Sequence, residues 1–143
     1  LAEPVAHRLR LRAAPEDLLR ALAGTTELDT AVLVGLVGRW AGGAPLIGWN
    51  PVRQVADPGR LEALPGGAVT GTGPVVGGGW FGWWSYSGPS WFGYFEQLLR
   101  RDPDGGWWLE SLADDGRLAE RARLIERVAG AARPAGPVRI EEL

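Results

Sequence analysis

From Val5 to Arg12 the chain alternates: Val5, His7, Leu9 and Leu11 fall on one side, and Ala6, Arg8, Arg10 and Arg12 on the other. A period of two predicts a strand with one buried face and one wet face. At Pro15 the period changes. Proline and the acids Glu16 and Asp17 suit a first helical turn, and Leu18, Leu19 and Leu22 then recur at helical spacing before a stop at Gly24. Ala31 to Val37 is apolar throughout, the pattern of a central strand buried on both faces. Leu46 to Trp49 and Val52 to Val55 predict two more short strands, interrupted at Asn50-Pro51, and Pro58 to Leu64 a short helix.

Periodicity is lost over residues 65–79, where Pro65-Gly66-Gly67 and the glycines from Gly71 onward have turn composition. The segment Gly77 to Tyr86 (GGGWFGWWSY) then sets three tryptophans, a phenylalanine and a tyrosine among glycines. It is too short and too glycine-rich for a stable helix. As a strand, its glycines let the backbone pass close to a neighbour while the rings supply large rigid area. Trp91 to Arg101 and Trp107 to Leu112 flank Asp102-Pro103-Asp104-Gly105-Gly106, which predicts a β-hairpin with a longer loop. Asp114 or Asp115 is placed to cap a helix running to about Ala131, with Leu118, Ala122, Ile125 and Val128 on its buried stripe. Strands in runs, with helices between them, predict an α+β fold of mostly antiparallel sheets, packed as a sandwich-like core with flanking helices. Residues 1–132 form one domain in this scheme. Arg133 to Pro137 reads as a linker, and 138–143 as the start of a further domain.

Composition narrows the chemistry. A chain of 143 residues with 45% hydrophobic residues is long enough to bury a core without staples, and its net charge of −2 does not favour nucleic acid as a partner. The longest apolar run is far short of a membrane span. There is no cysteine, which removes disulfides, thiolate nucleophiles and thiolate zinc sites and accords with a cytoplasmic address. Every basic residue is arginine, so Schiff-base chemistry and the P-loop lysine are also absent.

No catalytic constellation emerges. His7, the sole histidine, shares the apolar side of its strand with Leu9 and reads as a packed imidazole. Asp102 and Asp104 have turn spacing but lack the later bidentate glutamate of a calcium loop. Gly71-x-Gly73 is followed by Pro74 and a tryptophan strand instead of a helix, unlike a dinucleotide fingerprint. Glu110, Asp114, Asp115 and Glu120 read as helix cap and solvated face. The aromatic strand needs a different account. Trp80, Phe81, Trp83 and Trp84 fall on both of its faces, as do Trp107 and Trp108 on theirs, so one set fills a core and the other covers a neighbouring body.

These segments, in this order, resemble the N-terminal domain of the chorismate-utilising synthases, component I of aminodeoxychorismate synthase and of anthranilate synthase. The aromatic segment Gly78 to Tyr86 is similar to that family's Gly-Gly-Trp-x-Gly-Tyr-x-x-Tyr run. Ala31 to Val37 sits where the family has its first buried strand, and Leu46 to Pro51 (LIGWNP) looks like its Ile-Gly-x-x-Pro strand end. Tyr94 to Arg101 and Gly106 to Glu110 resemble the hairpin that follows. The likeness spans residues 28–112.

The resemblance implies a non-catalytic lobe that packs on a chorismate-binding C-terminal domain. That domain uses Mg²⁺, and ammonia reaches it from a glutaminase partner. None of the catalytic or Mg²⁺-binding motif lies in this chain, so no catalytic residue, metal ligand or cofactor is expected here. The domain-interface or ligand-contact candidates are Gly79, Trp80, Gly82, Trp83, Trp84 and Tyr86. Val34, Gly35, Ala44, Pro45 and Leu46 mark a possible vestigial pocket for an aromatic amino acid. Feedback-sensitive anthranilate synthases carry Leu-Leu-Glu-Ser on the first buried strand. The counterpart here, Val32 to Gly35, has neither acid nor hydroxyl, and an unpaired ligand ammonium there would cost several kcal/mol. The resemblance therefore tilts toward the aminodeoxychorismate branch, which feeds p-aminobenzoate and folate, with an anthranilate synthase N-domain as the alternative. A stand-alone aromatic- or carbohydrate-binding module, or a protein-interaction module, built on the tryptophan strand is the competing expectation.

Overall fold

The computed structural model describes residues 4–38, 44–61 and 78–131. Within these, the chain is α+β with antiparallel pairing throughout. The strands are β1 (Val5–Arg8), β2 (Leu33–Leu36), β3 (Leu46–Trp49), β4 (Arg53–Val55), β5 (Gly79–Trp83), β6 (Trp91–Phe95), β7 (Gln97–Arg101) and β8 (Trp107–Ser111), and the helices α1 (Pro15–Gly24) and α2 (Leu118–Ala131). A larger sheet has the order β1-β8-β7-β3-β2, and a smaller one the order β4-β6-β5.

Register assigns the faces of the larger sheet. Leu33 lies opposite Trp49, Ile47 opposite Leu99, and Leu99 opposite Leu109, which in turn faces His7. This face is covered by the helices: Leu18 and Leu22 of α1 and Leu118, Ala122 and Ile125 of α2 join Leu9, Ile47, Trp49, Leu99, Trp107 and Leu109 in one core. Each such large apolar side chain contributes roughly 1.5–3 kcal/mol by leaving water. Trp107 is buried completely and still satisfies its indole, which donates to the Ala13 carbonyl at 2.9 Å. The stripe expected on α2 is the one observed. Half-buried His7 sits on this same helix-covered face, in the setting its alternation with Leu9 predicts.

The opposite face carries Val34, Leu36, Leu46, Gly48, Leu98, Arg100, Trp108 and Glu110. Here Gly48 receives the ring of Phe95: a Cβ on Gly48 would stand 2.8 Å from Phe95 Cδ1. Phe95 is the last residue of β6, so this contact links the two sheets.

Three expectations change. The apolar run 31–37 does not form a central strand. Its ordered part, β2, ends the larger sheet among the described residues, and all four of its residues are half-buried. Apolar content reported burial, but not on which side a strand has a neighbour. Trp91 to Arg101 is not one strand either: it breaks at exposed Glu96, with β6 in one sheet and β7 in the other. The helix expected from Pro58 begins as a 3-10 turn over Pro58–Arg60, whose N–H at Gly59 is capped by Asp57 Oδ1 at 2.9 Å. Residues 62–64 lie outside the described residues, as do the turn-rich segment 65–77 and the linker and tail at 133–143. Among the described residues no helix is long and apolar enough to cross a membrane.

Candidate functional site

β6 runs between β4 and β5, with Trp80 opposite Tyr94, Phe81 opposite Gly93, Gly82 opposite Phe92 and Trp83 opposite Trp91. The period of two therefore sorts the rings. Trp80, Phe92 and Tyr94 share one face with Arg53 and Val55, while Phe81, Trp83, Trp91 and Phe95 share the other with Gln54.

On the first face the Trp80 and Tyr94 ring centroids are 5.2 Å apart, and the Arg53 guanidinium lies 6.0 Å from the centre of the Trp80 ring. On the second, Phe81 tilts against Phe95 at 5.7 Å, which ties the strand pair to the core. Farther along the same face Trp83 and Trp91 stack, 24° from parallel with centroids 5.3 Å apart, and Trp91 Nε1 donates to Gln54 Oε1 at 3.0 Å. Gly82 has the close approach expected of it, since a Cβ there would overlap the Trp91 carbonyl oxygen. Gly79 is buried at the start of β5 with φ of 143°, a backbone state that favours glycine.

The interface candidates thus divide. Gly79, Trp80 and Gly82 shape and support the strand pair. Trp83 is 56% exposed, Trp84 is 72% exposed, and Tyr86 is fully exposed, with Val52 also open at 59%. Three aromatic rings within four residues, at and just past the end of β5, are left in water, an arrangement suited to adhesion.

The sequence carries a further signal for this surface. From Ala63 to Phe95 the chain has no charged residue at all. Depletion of charge with enrichment of tryptophan and tyrosine characterises the centres of protein interfaces.

The vestigial-pocket residues are only partly brought together. Val34 and Leu46 share the face that Phe95 approaches, whereas Gly35, opposite Ile47, points to the helices. There a Cβ on Gly35 would stand 2.9 Å from Leu19 Cδ2, so the space at this glycine is already occupied. Ala44 and Pro45 precede β3, and the Pro45 carbonyl accepts from the Arg101 N–H at 3.0 Å.

The acids expected on a solvated face separate as well. Asp114 and Asp115 do not cap α2 as expected: they accept from the N–H groups of Gly116 and Arg117 at 2.9 Å each, turn contacts two residues on that lie before Leu118, the first residue of the helix. Glu120 is exposed in the first turn of α2. Glu110 is instead completely buried, ion-paired with Arg100 at 2.5 Å. Its neighbour Asp102 accepts from Arg100 at 2.8 Å, from Trp108 Nε1 at 2.5 Å and from Arg8 at 3.3 Å. Burial works against the Arg100 cation, but the hydrogen bonds and charges of Glu110 and Asp102 outweigh it and hold the pKa raised. The signal for this network was the period of two itself, which puts Trp108 and Glu110 on one side of β8 with Arg100 beside them.

Among the described residues, no group of three or more histidine, cysteine, aspartate or glutamate side chains is arranged to hold a metal ion. No family model, curated protein or solved structure matches this chain.

Proposed function

We propose that this chain is the non-catalytic N-terminal domain of an enzyme resembling aminodeoxychorismate synthase component I. In this role it packs against a chorismate-binding catalytic domain, and the parent enzyme aminates chorismate on the way to p-aminobenzoate in the cytoplasm. Mg²⁺ and the glutaminase partner belong to that parent assembly. The observation that carries the proposal is the exposure of Trp83, Trp84 and Tyr86 together at the end of β5, inside a run free of charge. Burying such rings against a second body recovers hydrophobic free energy and places no unpaired charge in the interface. The Phe95–Gly48 contact between the sheets is consistent with a sandwich-like core of the component I type.

A carbohydrate platform is the less favoured use of the same rings. Sugars stack on open ring faces, and Trp83 and Trp91 spend a face on each other.

The test is a binding measurement by titration calorimetry. The full chain is titrated with the separately produced chorismate-binding domain of an aminodeoxychorismate synthase component I. One-to-one association is expected, weakened at least tenfold by Trp84→Ser or Tyr86→Ser. The proposal fails if the chain alone binds chorismate in the micromolar range. It fails equally if a soluble glycan quenches the tryptophan emission while the chorismate-binding domain does not associate.

A further inference from the structure

The arginines of α2 stand where they do little for the helix itself. Arg117 and Arg121 are one turn apart, the Arg121 N–H donating to the Arg117 carbonyl at 3.0 Å, and Arg123 and Arg127 repeat the spacing. Like charges four residues apart on a helix repel. Arg117 comes just before Leu118, the first helical residue, and the last turn has no basic residue. Arg117 and Arg121 thus lie at the end where the helix dipole disfavours a cation.

The chain answers two of these charges. Arg121 donates to Gln97 Oε1 at 2.5 Å and pairs with Asp115 at 3.2 Å, and Arg127 pairs with Glu27 at 2.7 Å. Among the described residues neither Arg117 nor Arg123 is in an ion pair, and exposed Glu120, between them in sequence, is in none either. All four arginines line one open hollow of about 910 Å³, walled by α2 and by Glu27 and Leu28. Four arginines against Glu27 and Glu120 leave this lining cationic, and half-buried Leu28 and Leu124 give it an apolar floor.

We propose that this hollow is a docking groove for an acidic, amphipathic segment of a partner protein. Carboxylates of the segment meet Arg117 and Arg123, and its apolar side chains settle on Leu28 and Leu124. From Arg117 to Arg127 the cations extend over roughly 15 Å of helix axis, enough for several carboxylates of one segment. A nucleic acid suits the lining less well. Glu27 and Glu120 would face its phosphates, and no aromatic ring lines the groove for a base to stack on. The groove is on the helix-covered side of the larger sheet, whereas Phe95 joins the small sheet to the other side at Gly48. This inference is therefore independent of the proposed role of the aromatic strand.

Fluorescence anisotropy of a dye-labelled peptide of glutamate and leucine, with leucine at helical spacing, tests the groove when the full chain is titrated in. Saturable binding is expected, weakened about threefold or more by Arg117→Gln or Arg123→Gln and at least tenfold by the two together. Arg60→Gln, on the exposed 3-10 turn, should leave it unchanged. Both groove arginines are exposed and outside ion pairs, so their variants should unfold at urea midpoints no lower than that of the wild type. A lowered midpoint would assign the arginines to the fold instead and overturn the proposal. So would equal affinity in wild type and the double variant, or equal binding of a lysine–leucine peptide of the same pattern. Tighter binding of a single-stranded oligonucleotide than of the acidic peptide would give the groove to nucleic acid and overturn it too.

Discussion

Arg100 reaches diagonally across the β7–β8 pair, where it lies opposite Trp108, and donates from Nε to Oε1 of the completely buried Glu110 at 2.5 Å. The pair stands on the face of the larger sheet away from the helices. It is further tied through Asp102 to Arg8, which also lies 5.2 Å from the centre of the Trp108 ring.

Removing one partner of this pair leaves the other charge buried. Arg100→Leu should therefore cost about 3–5 kcal/mol of stability in a urea melt. Replacing both partners with apolar residues should cost less than that single change, because nothing charged then remains inside. A double variant as unstable as the sum of the two single variants would mean that the residues do not act as a pair.

Gly48 and Gly35 both stand against a side chain at van der Waals limits, yet alanine should not cost the same at each. At Gly48 the obstacle is the completely buried ring of Phe95, 2.8 Å from the new carbon, which has nowhere to move. Gly48→Ala should destabilise by about 1–3 kcal/mol. At Gly35 the obstacle is the flexible end of half-buried Leu19, and Gly35→Ala should cost under about 1 kcal/mol. Denaturation midpoints of the two variants check the order.

Acid should weaken the fold through Asp104 and Asp115. The Gly106 N–H, then Arg8, hold the Asp104 carboxyl below its usual range, and the Arg117 N–H, then Arg121, do the same for Asp115. A depressed folded-state pKa means that the unfolded chain takes up protons first. The stabilisation is thus present above the unfolded value of about 3.9 and fades as pH falls toward the lower folded values. Asp104→Asn should flatten the acid limb of a stability-against-pH curve. A limb of unchanged slope in that variant would exclude Asp104 as a contributor.

Truncating the exposed rings should leave the isolated chain intact. Trp84→Ser is expected to shift stability by no more than about 0.5 kcal/mol, since the ring is 72% exposed. It should also remove a large part of the iodide-quenchable emission, whereas Trp107→Phe should leave the amplitude of the quenchable emission unchanged because that ring has no exposure.

Much of this was legible from spacing alone. The alternation from Val5, the leucines of α1, the hairpin around Asp102 to Gly106 and the stripe on α2 are local patterns. Each depends on geometry within one element, so a period in the sequence is enough to predict it. Trp107 and Trp108 point to opposite sides for the same reason. Tertiary structure decided what depends on neighbours distant in sequence. It left β2 at the end of the larger sheet among the described residues, divided 91–101 between two sheets at Glu96, sealed Glu110 against Arg100, and filled the space at Gly35 with Leu19. Periodicity assigns a residue to a face, but only packing determines what covers that face, and burial, pairing and exposure follow from the cover.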